Sequence, residues 1–283
     1  MVLDRDTIKK ITDFVYTKPR TIQEISVLLD VNWRTAERYV ERISEETGSI
    51  SARTFRKGTR GALKIVFWNN LERIHSSELQ ERIFRRIESG GKKTDFSPFD
   101  IYQYISDDKR RAVLYQTKRG SEKERIKDYL RTTRNQILSF SGSVSWINSK
   151  EKDEKLIDVV RAMAENNISV KIISRVTVDS MKNVRSLLAI NDEIGKKVIE
   201  IRHAKQPLRG FVIDSDIARF REVINPFEIE DSEISKDLLL FYEIYDKEWI
   251  EWLQKIFWHI FRTAIPAEKR IKDLDSIRNI YTV

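Results

Sequence analysis

Residues 32–39, which read NWRTAERY, decide the fold of the first part of this chain. Placed at helical spacing, the stretch divides into two faces. The polar face carries Trp33, Arg34, Glu37 and Arg38. The opposite face continues into the next turn and carries Ala36, Tyr39, Val40 and Ile43. This division predicts a helix that packs on a core with one face and offers cations to a polyanion with the other.

A shorter helix is predicted immediately before this one, over residues 22–30. Thr21 is placed to cap it, and Glu24 follows three residues later, which is the spacing of a capping box. The connection of residues 30–32 is short, and Asn32 can cap the second helix. An earlier periodic stretch, residues 4–17, predicts a third helix behind these two. Two helices joined by a tight turn favour a helix-turn-helix, whose second helix enters the major groove of DNA.

Two β-rich segments follow, at residues 50–56 and 62–68, joined by the glycine-containing sequence KGTRG. This pattern predicts a hairpin whose tip is basic. Residues 1–68 therefore resemble winged helix-turn-helix domains. The resemblance implies a DNA-binding set made of Asn32, Trp33, Arg34, Thr35, Arg38, Arg56, Lys57 and Arg60. Within it the helix residues approach base edges and the hairpin cations contact phosphates.

Other interpretations of these residues remain open at this stage. Trp33 is equally well explained as a core aromatic. The alternative for Arg34 and Arg38 is a solvated helix face. Winged helices also serve as protein-interaction modules.

The distribution of charge separates the two halves of the chain. The 283 residues carry a net charge of +8. Residues 1–70 hold 13 Lys and Arg against 9 Asp and Glu, residues 71–140 hold 16 against 11, and residues 141–283 hold 23 against 24. The basic excess thus accompanies the predicted winged helix, as expected for a part that meets a polyanion.

The composition argues against several classes of protein. There is no Cys, and the three His residues, His75, His203 and His259, are scattered, so that neither a disulfide nor a metal site is expected. No cofactor is expected either. No apolar run approaches the roughly 18 residues of a membrane span, and the N-terminus does not resemble a signal peptide. We expect a cytoplasmic protein that does not bind membranes.

The second half alternates apolar strands with helices. Strands are predicted at residues 136–143, 170–176 and 198–203, with helices at 150–166 and 179–191 between them, which requires parallel βαβ units. Three closely spaced strands, at 210–214, 217–223 and 238–245, must pair as hairpins and make the sheet mixed. Asp246 caps a closing helix, residues 247–263, with a wide apolar face. Helices are also predicted at 76–89, within 96–115 and at 121–138.

This order of elements resembles the phospholipase D-like domain, with Ser139-Phe140-Ser141-Gly142-Ser143 near its opening. A winged helix before such a domain is typical of archaeal TrmB-like transcriptional regulators. Active members of the phospholipase D family carry an H-x-K-x4-D motif. The matching segment here begins with Pro207 and has Arg209 in the lysine position, so that only Asp214 is retained. Proline has no nucleophilic atom, and the resemblance therefore implies a domain without catalysis.

A literal H-x-K does occur at His203-Ala204-Lys205, but Gly210 stands where its aspartate is needed. We expect His203, Lys205, Arg209 and Asp214 to line the former substrate cleft and to bind an anionic or polar ligand there. The alternative is that these four residues are only loop and strand-edge charges.

The sequence as a whole predicts a multidomain α+β protein. Residues 1–70 form a winged helix-turn-helix, residues 71–120 a helical connector and residues 121–283 a degenerate α/β phospholipase D-like domain with a mixed sheet. The expected function is sequence-specific regulation of transcription by a homodimer bound to double-stranded DNA, with a small-molecule effector as a further partner. The alternatives are a sequence-neutral, chromatin-like DNA-binding protein and a phosphodiesterase or nuclease that uses His203 and Lys205.

Overall fold

The computed structural model describes residues 3–17, 19–56, 62–68, 77–116, 126–151, 154–224 and 238–280. Contacts divide the chain into two compact units, Met1–Arg73 and Ile74–Val283, called here the N-terminal unit and the C-terminal unit. Residues 77–116, which the sequence assigned to a connector, fall in the C-terminal unit. Within the described residues, no helix is long and apolar enough to cross a bilayer.

The described part of the N-terminal unit consists of three helices and a small antiparallel sheet. The helices are α1 (Arg5–Thr17), α2 (Ile22–Leu29) and α3 (Trp33–Thr47). The strands are β1 (Arg20–Thr21), β2 (Ile50–Arg56) and β3 (Ala62–Trp68), in the order β1-β3-β2. The three helices and the β2–β3 pair confirm the prediction made from periodicity.

Side-chain caps begin both α2 and α3, and a left-handed residue ends α2 at the turn between them. Thr21 Oγ1 accepts the backbone N–H of Glu24 at 3.1 Å, and Glu24 Oε2 accepts the N–H of Thr21 at 2.7 Å, which confirms the capping box. Asp30 takes the left-handed conformation, with φ of 52°, and ends α2. Asn32 Oδ1 accepts the N–H of Thr35 at 2.9 Å and begins α3. Each cap stabilises its helix by about 1 kcal/mol.

The core of the N-terminal unit holds the apolar face of α3. Ala36, Val40 and Ile43 are completely buried, and Tyr39 is nearly so. They share a cluster with residues of the other helices and of the sheet, namely Ile11, Val15, Ile22, Ile25, Ile50 and Val66. Because this face is held inside, the opposite face of α3 is necessarily the one left for solvent or a partner.

The C-terminal unit is built on one large sheet with helices around it. Its helices are α4 (Glu78–Ser89), α5 (Phe99–Tyr102), α6 (Ile126–Thr132), α7 (Leu156–Glu165), α8 (Met181–Ile194), α9 (Lys247–Thr263) and α10 (Ala267–Ile280). The large sheet contains β4 (Arg110–Gln116), β5 (Gln136–Phe140), β8 (Ser169–Ser174), β9 (Ile199–His203), β10 (Gly210–Ile213), β11 (Ile217–Ile224), β12 (Leu238–Ile244) and β13 (Ile265–Pro266). Two short strands, β6 (Lys150–Glu151) and β7 (Glu154–Lys155), form a separate ribbon.

The large sheet is mixed, as the sequence predicted. Its strand order is β13-β9-β8-β5-β10-β11-β12-β4. Strands β5, β8 and β9 are parallel, and α7 and α8 cross between them, which confirms the βαβ units. Strands β10, β11 and β12 pair antiparallel in hairpin succession. The carboxyl ends of β5, β8 and β9 and the start of β10 therefore meet at one edge of the sheet.

Helix α9 buries its apolar face inside the C-terminal unit. It packs on β5, β8, β10 and β11. Ile250, Leu253, Ile256 and Phe257 have no exposed surface, and Trp252 has 2%. The wide apolar face predicted for residues 247–263 is therefore buried against the large sheet.

Three local predictions were wrong. Residues 110–116 form β4 rather than a helix, because they pair along their whole length with β12. Residues 150–151 and 154–155 form the β6–β7 ribbon, so that α7 starts only at Leu156. Residues 136–138 belong to β5 and not to the helix predicted over 121–138, which is described only as α6, Ile126–Thr132. Helix α10 was not predicted.

Candidate nucleic-acid interface

The outer face of α3 carries the residues that the sequence assigns to DNA. Trp33 keeps 53% of its surface exposed, and Arg34 and Arg38 are exposed as well. Asn32 is exposed at the start of the helix, and Thr35 is partly exposed. The interpretation of Trp33 as a core aromatic is therefore wrong.

Arg34 and Trp33 contact each other at the beginning of α3. The guanidinium carbon of Arg34 lies 5.5 Å from the centroid of the Trp33 ring. A cation over an indole is stabilised by about 0.5–1 kcal/mol at an exposed site. The first turn of α3 thus presents a cation and a flat aromatic ring side by side, with hydrogen-bond donors that suit phosphates or guanine edges.

Two of the acidic residues on α3, Glu37 and Glu41, are paired with one lysine of the sheet. Lys64 of β3 places Nζ 2.9 Å from Glu37 Oε1 and 2.7 Å from Glu41 Oε1. Partial burial would lower the pKa of Lys64, but the carboxylates of Glu41 and Glu37 outweigh burial and the pKa is raised. The lysine therefore stays charged and offsets about half of the negative charge of two carboxylates that would repel a polyanion beside Arg38. Sequence reasoning missed this contact, because it joins residues far apart in the chain.

The β2–β3 ribbon is in the register expected of a wing. Arg56 ends β2 and lies opposite Ala62, the first residue of β3. Lys57 and Arg60, the cations predicted at the ribbon tip, lie outside the described residues.

The four residues predicted to line one ligand cleft are not brought together. His203 ends β9 and Arg209 precedes β10, which places both at the edge where the parallel strands end. Asp214 follows β10 and lies at the opposite edge of the sheet, beside the start of β5. Lys205 is exposed after β9. The prediction of a single cleft containing all four residues was wrong.

Asp214 has a structural position. Its side chain is buried, and its two carboxylate oxygens accept the backbone N–H groups of Arg134, Asn135 and Gln136, each at 2.9 Å. Its backbone is left-handed, with φ of 48°. The carboxylate thus ties the end of β10 to the start of β5 and holds the two strands together.

His203 is also engaged by the fold. Its Nδ1 accepts the backbone N–H of Val176 at 2.9 Å. Burial, and then the positive charges of Arg270 and Lys205, lower the pKa of the imidazole. The ring is therefore neutral near pH 7, and one of its two nitrogens is occupied by the loop that follows β8.

Arg209 and Pro207 face different surroundings. Pro207 is buried against Gly90, where a Cβ would lie 2.9 Å from its Cγ. The Arg209 guanidinium folds against Gly142, where a Cβ would lie 2.9 Å from Nε, so that a larger residue at position 142 would displace the end of the Arg209 side chain. Arg209 lines a cavity of about 380 Å³ at this edge of the sheet, whereas His203, Lys205 and Asp214 do not.

A buried ion pair beside this cavity was not predicted. Arg219 Nε lies 3.3 Å from Glu243 Oε1, and both side chains are at most 4% exposed. Glu243 also accepts the hydroxyls of Tyr129 and Tyr245, and the Arg219 guanidinium lies 3.9 Å from the centroid of the Phe241 ring. Arg219 and Glu243 lie on the buried side of β11 and β12, where alternation of polar and apolar residues predicts apolar side chains. The sequence pattern therefore gives no signal for an ion pair between them.

Known proteins were compared with the chain in three ways. No protein-family model and no curated protein matches the sequence. Three solved structures are similar. TrmBL2, an archaeal chromatin protein, is 14% identical over 92% of this chain and 93% of its own, with a TM-score of 0.40. Nuc, a phospholipase D family member from Salmonella typhimurium, is 10% identical over 56% of this chain and 97% of its own (TM-score 0.40), and NucT from Helicobacter pylori is 13% identical over 56% and 99% (TM-score 0.39).

Proposed function

We propose that this protein is a sequence-specific regulator of transcription that binds double-stranded DNA through a winged helix-turn-helix. The N-terminal unit supplies the interface, with α3 in the major groove and the β2–β3 ribbon beside the phosphate backbone. The C-terminal unit is a phospholipase D-like domain that senses a ligand and has no catalytic role. The protein acts in the cytoplasm.

One observation carries the DNA-binding part of the proposal. Helix α3 buries Ala36, Val40 and Ile43, and its outer face carries Arg34 and Arg38 in exposed positions. Glu37, on the same face, is paired with Lys64. The face therefore carries two exposed cations beside a carboxylate that is paired with Lys64, and such a face suits a polyanion.

The direct test is a double variant, Arg34→Gln with Arg38→Gln, measured by fluorescence anisotropy on a labelled duplex. Each lost base contact should weaken binding by about 1–3 kcal/mol. The matched control is Arg161→Gln with Arg185→Gln, which removes the same charge from helices α7 and α8. Equal affinity in the two double variants would reject the proposed interface.

Sequence preference separates a regulator from a protein that coats DNA. Selection of bound fragments from random duplex DNA should enrich one motif, which the Arg34 and Arg38 variants should fail to enrich. Enrichment of no motif, together with tight binding, would replace the regulator with a chromatin-like protein.

The absence of catalysis is proposed from the residues at the matching motif. Pro207 has no atom that attacks phosphorus, and it is packed against Gly90. We expect no turnover of phosphodiester substrates. Turnover that disappears in a His203→Ala variant would instead make the C-terminal unit an enzyme.

A homodimer follows from the geometry of DNA. Two copies of α3 would occupy half-sites about one helical turn apart and double the phosphate contacts. Helix α9 does not supply the dimer face, because its apolar side is buried in its own unit. Sedimentation equilibrium of the full chain, with and without duplex, tests the dimer. A monomer in both conditions would remove this part of the proposal.

A further inference from the structure

The two outer strands of the large sheet differ in how they are protected. At one end, β13 is only two residues long and contains Pro266, which has no N–H to donate. At the other end, β4 is seven residues long and, among the strands that the structure describes, pairs only with β12. Short length and proline are features that keep an edge strand from pairing with another chain. Strand β4 has neither of them.

The backbone of β4 has one row of polar groups that points away from β12. Immediately before the strand, the carbonyl of Lys109 accepts the N–H of Tyr245 at 2.8 Å. Residues that exchange hydrogen bonds with a neighbouring strand alternate along an antiparallel pair. The backbone of Val113 therefore faces β12, whereas the N–H and C=O groups of Ala112 and Leu114 point outward. An outward row of this kind can pair with a further strand.

The side chains beside this row are apolar and accessible. Leu114 is 56% exposed, and Ala112 is exposed as well. Ala112 lies opposite Tyr242 of β12, whose ring centroid is 6.3 Å from that of Phe99, a residue that is itself 47% exposed. Residues opposite each other in a sheet project from the same face, so that Ala112, Leu114 and Phe99 lie on one side of it. An accessible edge strand with apolar side chains is a surface that associates.

Strand β4 is complementary to an antiparallel copy of itself. When Val113 of one copy lies opposite Val113 of the other, Ala112 lies opposite Leu114, and Arg111 lies opposite Tyr115. The outward backbone groups of Ala112 then meet those of Leu114, as an antiparallel ladder requires. The exposed Arg111 meets an aromatic ring, which attracts a cation. Centring the pair on Arg111 would oppose two arginines, and centring it on Ala112 or Leu114 would pair fewer residues of the strand.

We infer that β4 pairs antiparallel with β4 of a second copy of this chain, around a two-fold axis at Val113. The two large sheets then form one continuous sheet, and each Leu114 lies beside the apolar side chains of the other copy. A two-fold contact of this kind is closed, because the same strand is used in both copies and no third copy can add to it. The inference rests on the homodimer of the proposed function and names its interface.

The first test is sedimentation equilibrium of the full chain without DNA. The wild type should be a dimer, and Leu114→Lys should raise the dimer dissociation constant at least tenfold, because it places a lysine among apolar side chains of the second copy. The matched control is Ile265→Lys, which makes the same kind of change at a 41% exposed position of the protected edge strand β13. It should leave the dimer unchanged. Thermal unfolding checks that both variants fold.

The second test fixes the register of the two strands and carries the inference if Leu114→Lys does not fold. The chain contains no cysteine, so that one introduced cysteine can pair only with its own copy. In an antiparallel pair without hydrogen bonds the Cα atoms are about 4.5 Å apart, which suits a disulfide. Val113→Cys should therefore form a covalent dimer under mild oxidation. The control, Leu114→Cys, would lie about 8 Å from its own copy and should not form one.

Three results would overturn the inference. They are a wild type that is monomeric without DNA, a Leu114→Lys protein that dimerises as tightly as Ile265→Lys, and cross-linking of Leu114→Cys as complete as that of Val113→Cys. Anisotropy with the labelled duplex is measured on the same samples. A wild type that dimerises through β4 without binding the duplex would reject the role of α3 alone. A monomer that binds the duplex would reject the β4 interface alone.

Discussion

The arginines of α3 and those of the large sheet show how one residue type takes different roles. Arg34 and Arg38 are exposed on a helix whose other face is core. Arg219 is sealed beside Glu243, and Arg209 lies between these extremes, enclosed but without a carboxylate partner in the described chain. An exposed cation suits a large polyanion, a compensated buried cation supports the fold, and an enclosed uncompensated cation suits a small anion. Exposure and partner, rather than residue type, assign the role.

The largest expected effect is on the stability of the C-terminal unit and concerns the buried ion pair between Arg219 and Glu243. Glu243→Leu should lower the free energy of unfolding by about 3–5 kcal/mol, because it leaves the buried Arg219 without its partner. The measurement is urea denaturation of the full chain. The control replaces both residues, Arg219→Met with Glu243→Leu, and should recover most of the loss. A single variant as stable as the double variant would show that Arg219 does not depend on Glu243.

The next effect concerns Asp214, which ties β10 to β5, whereas Arg209 of the same motif-like segment lines the cavity. Asp214→Ala should lower the free energy of unfolding by about 2–4 kcal/mol, because three backbone N–H groups lose their acceptor. Asp216→Ala, at an exposed position two residues later, is the control and should have little effect. A loss no larger than that of Asp216→Ala would contradict the structural role of Asp214.

A smaller effect tests the compensation of the acidic residues on α3. Lys64→Met should weaken duplex binding by about 0.5–1 kcal/mol, because it exposes Glu37 and Glu41 to the phosphates without a counter-charge. Anisotropy titrations at low salt measure the change. Adding Glu37→Gln and Glu41→Gln to the Lys64→Met protein should restore the affinity. A triple variant that binds no better than Lys64→Met would reject the electrostatic explanation.

The smallest effect is the pH dependence of the stability that Lys64 gains from Glu37 and Glu41. The pKa of Lys64 is raised by folding, so that its contribution to stability is complete below the unfolded pKa of about 10.4 and is lost as pH rises through the higher folded value. The difference in unfolding free energy between wild type and Lys64→Met, about 0.5 kcal/mol or less for a partly exposed pair, should disappear at high pH. Urea denaturation at neutral pH and near pH 11 measures it. A difference that grows with pH would contradict this sign.

The fold was predictable where a pattern is local. The periodicity of α3, its Asn32 cap and the Thr21–Glu24 box are all set by neighbours in sequence, and the structure confirms them. Strand β4 was missed because its pairing partner, β12, lies far along the chain, and no local signal competes with the helical interpretation of residues 96–115. Helix α10 is largely polar and has only a weak apolar stripe, so that periodicity did not reveal it.

The candidate sites were predictable to different degrees for the same reason. The exposed face of α3 belongs to one helix, and its residues could be grouped from spacing alone. The cavity is assembled from the loop after β5, the start of β10 and β11, which only the sheet brings together. The motif placed Arg209 correctly near a cavity, but it could not show that Asp214 points to the other edge. Motif membership therefore did not imply a shared site.

The most direct measurement of the central claim, that the exposed α3 arginines bind duplex DNA, is the salt dependence of binding. The slope of log K against log salt concentration is determined for the wild type and for Arg34→Gln with Arg38→Gln. Each phosphate contact contributes about 0.9 to the slope. The account predicts that the double variant binds more weakly and loses sequence preference, with a slope shallower by about 0.9 for each of the two arginines that also contacts a phosphate. A change of about 0.9 with lost sequence preference would place one of them on a base. Identical slopes and identical affinities would contradict the claim.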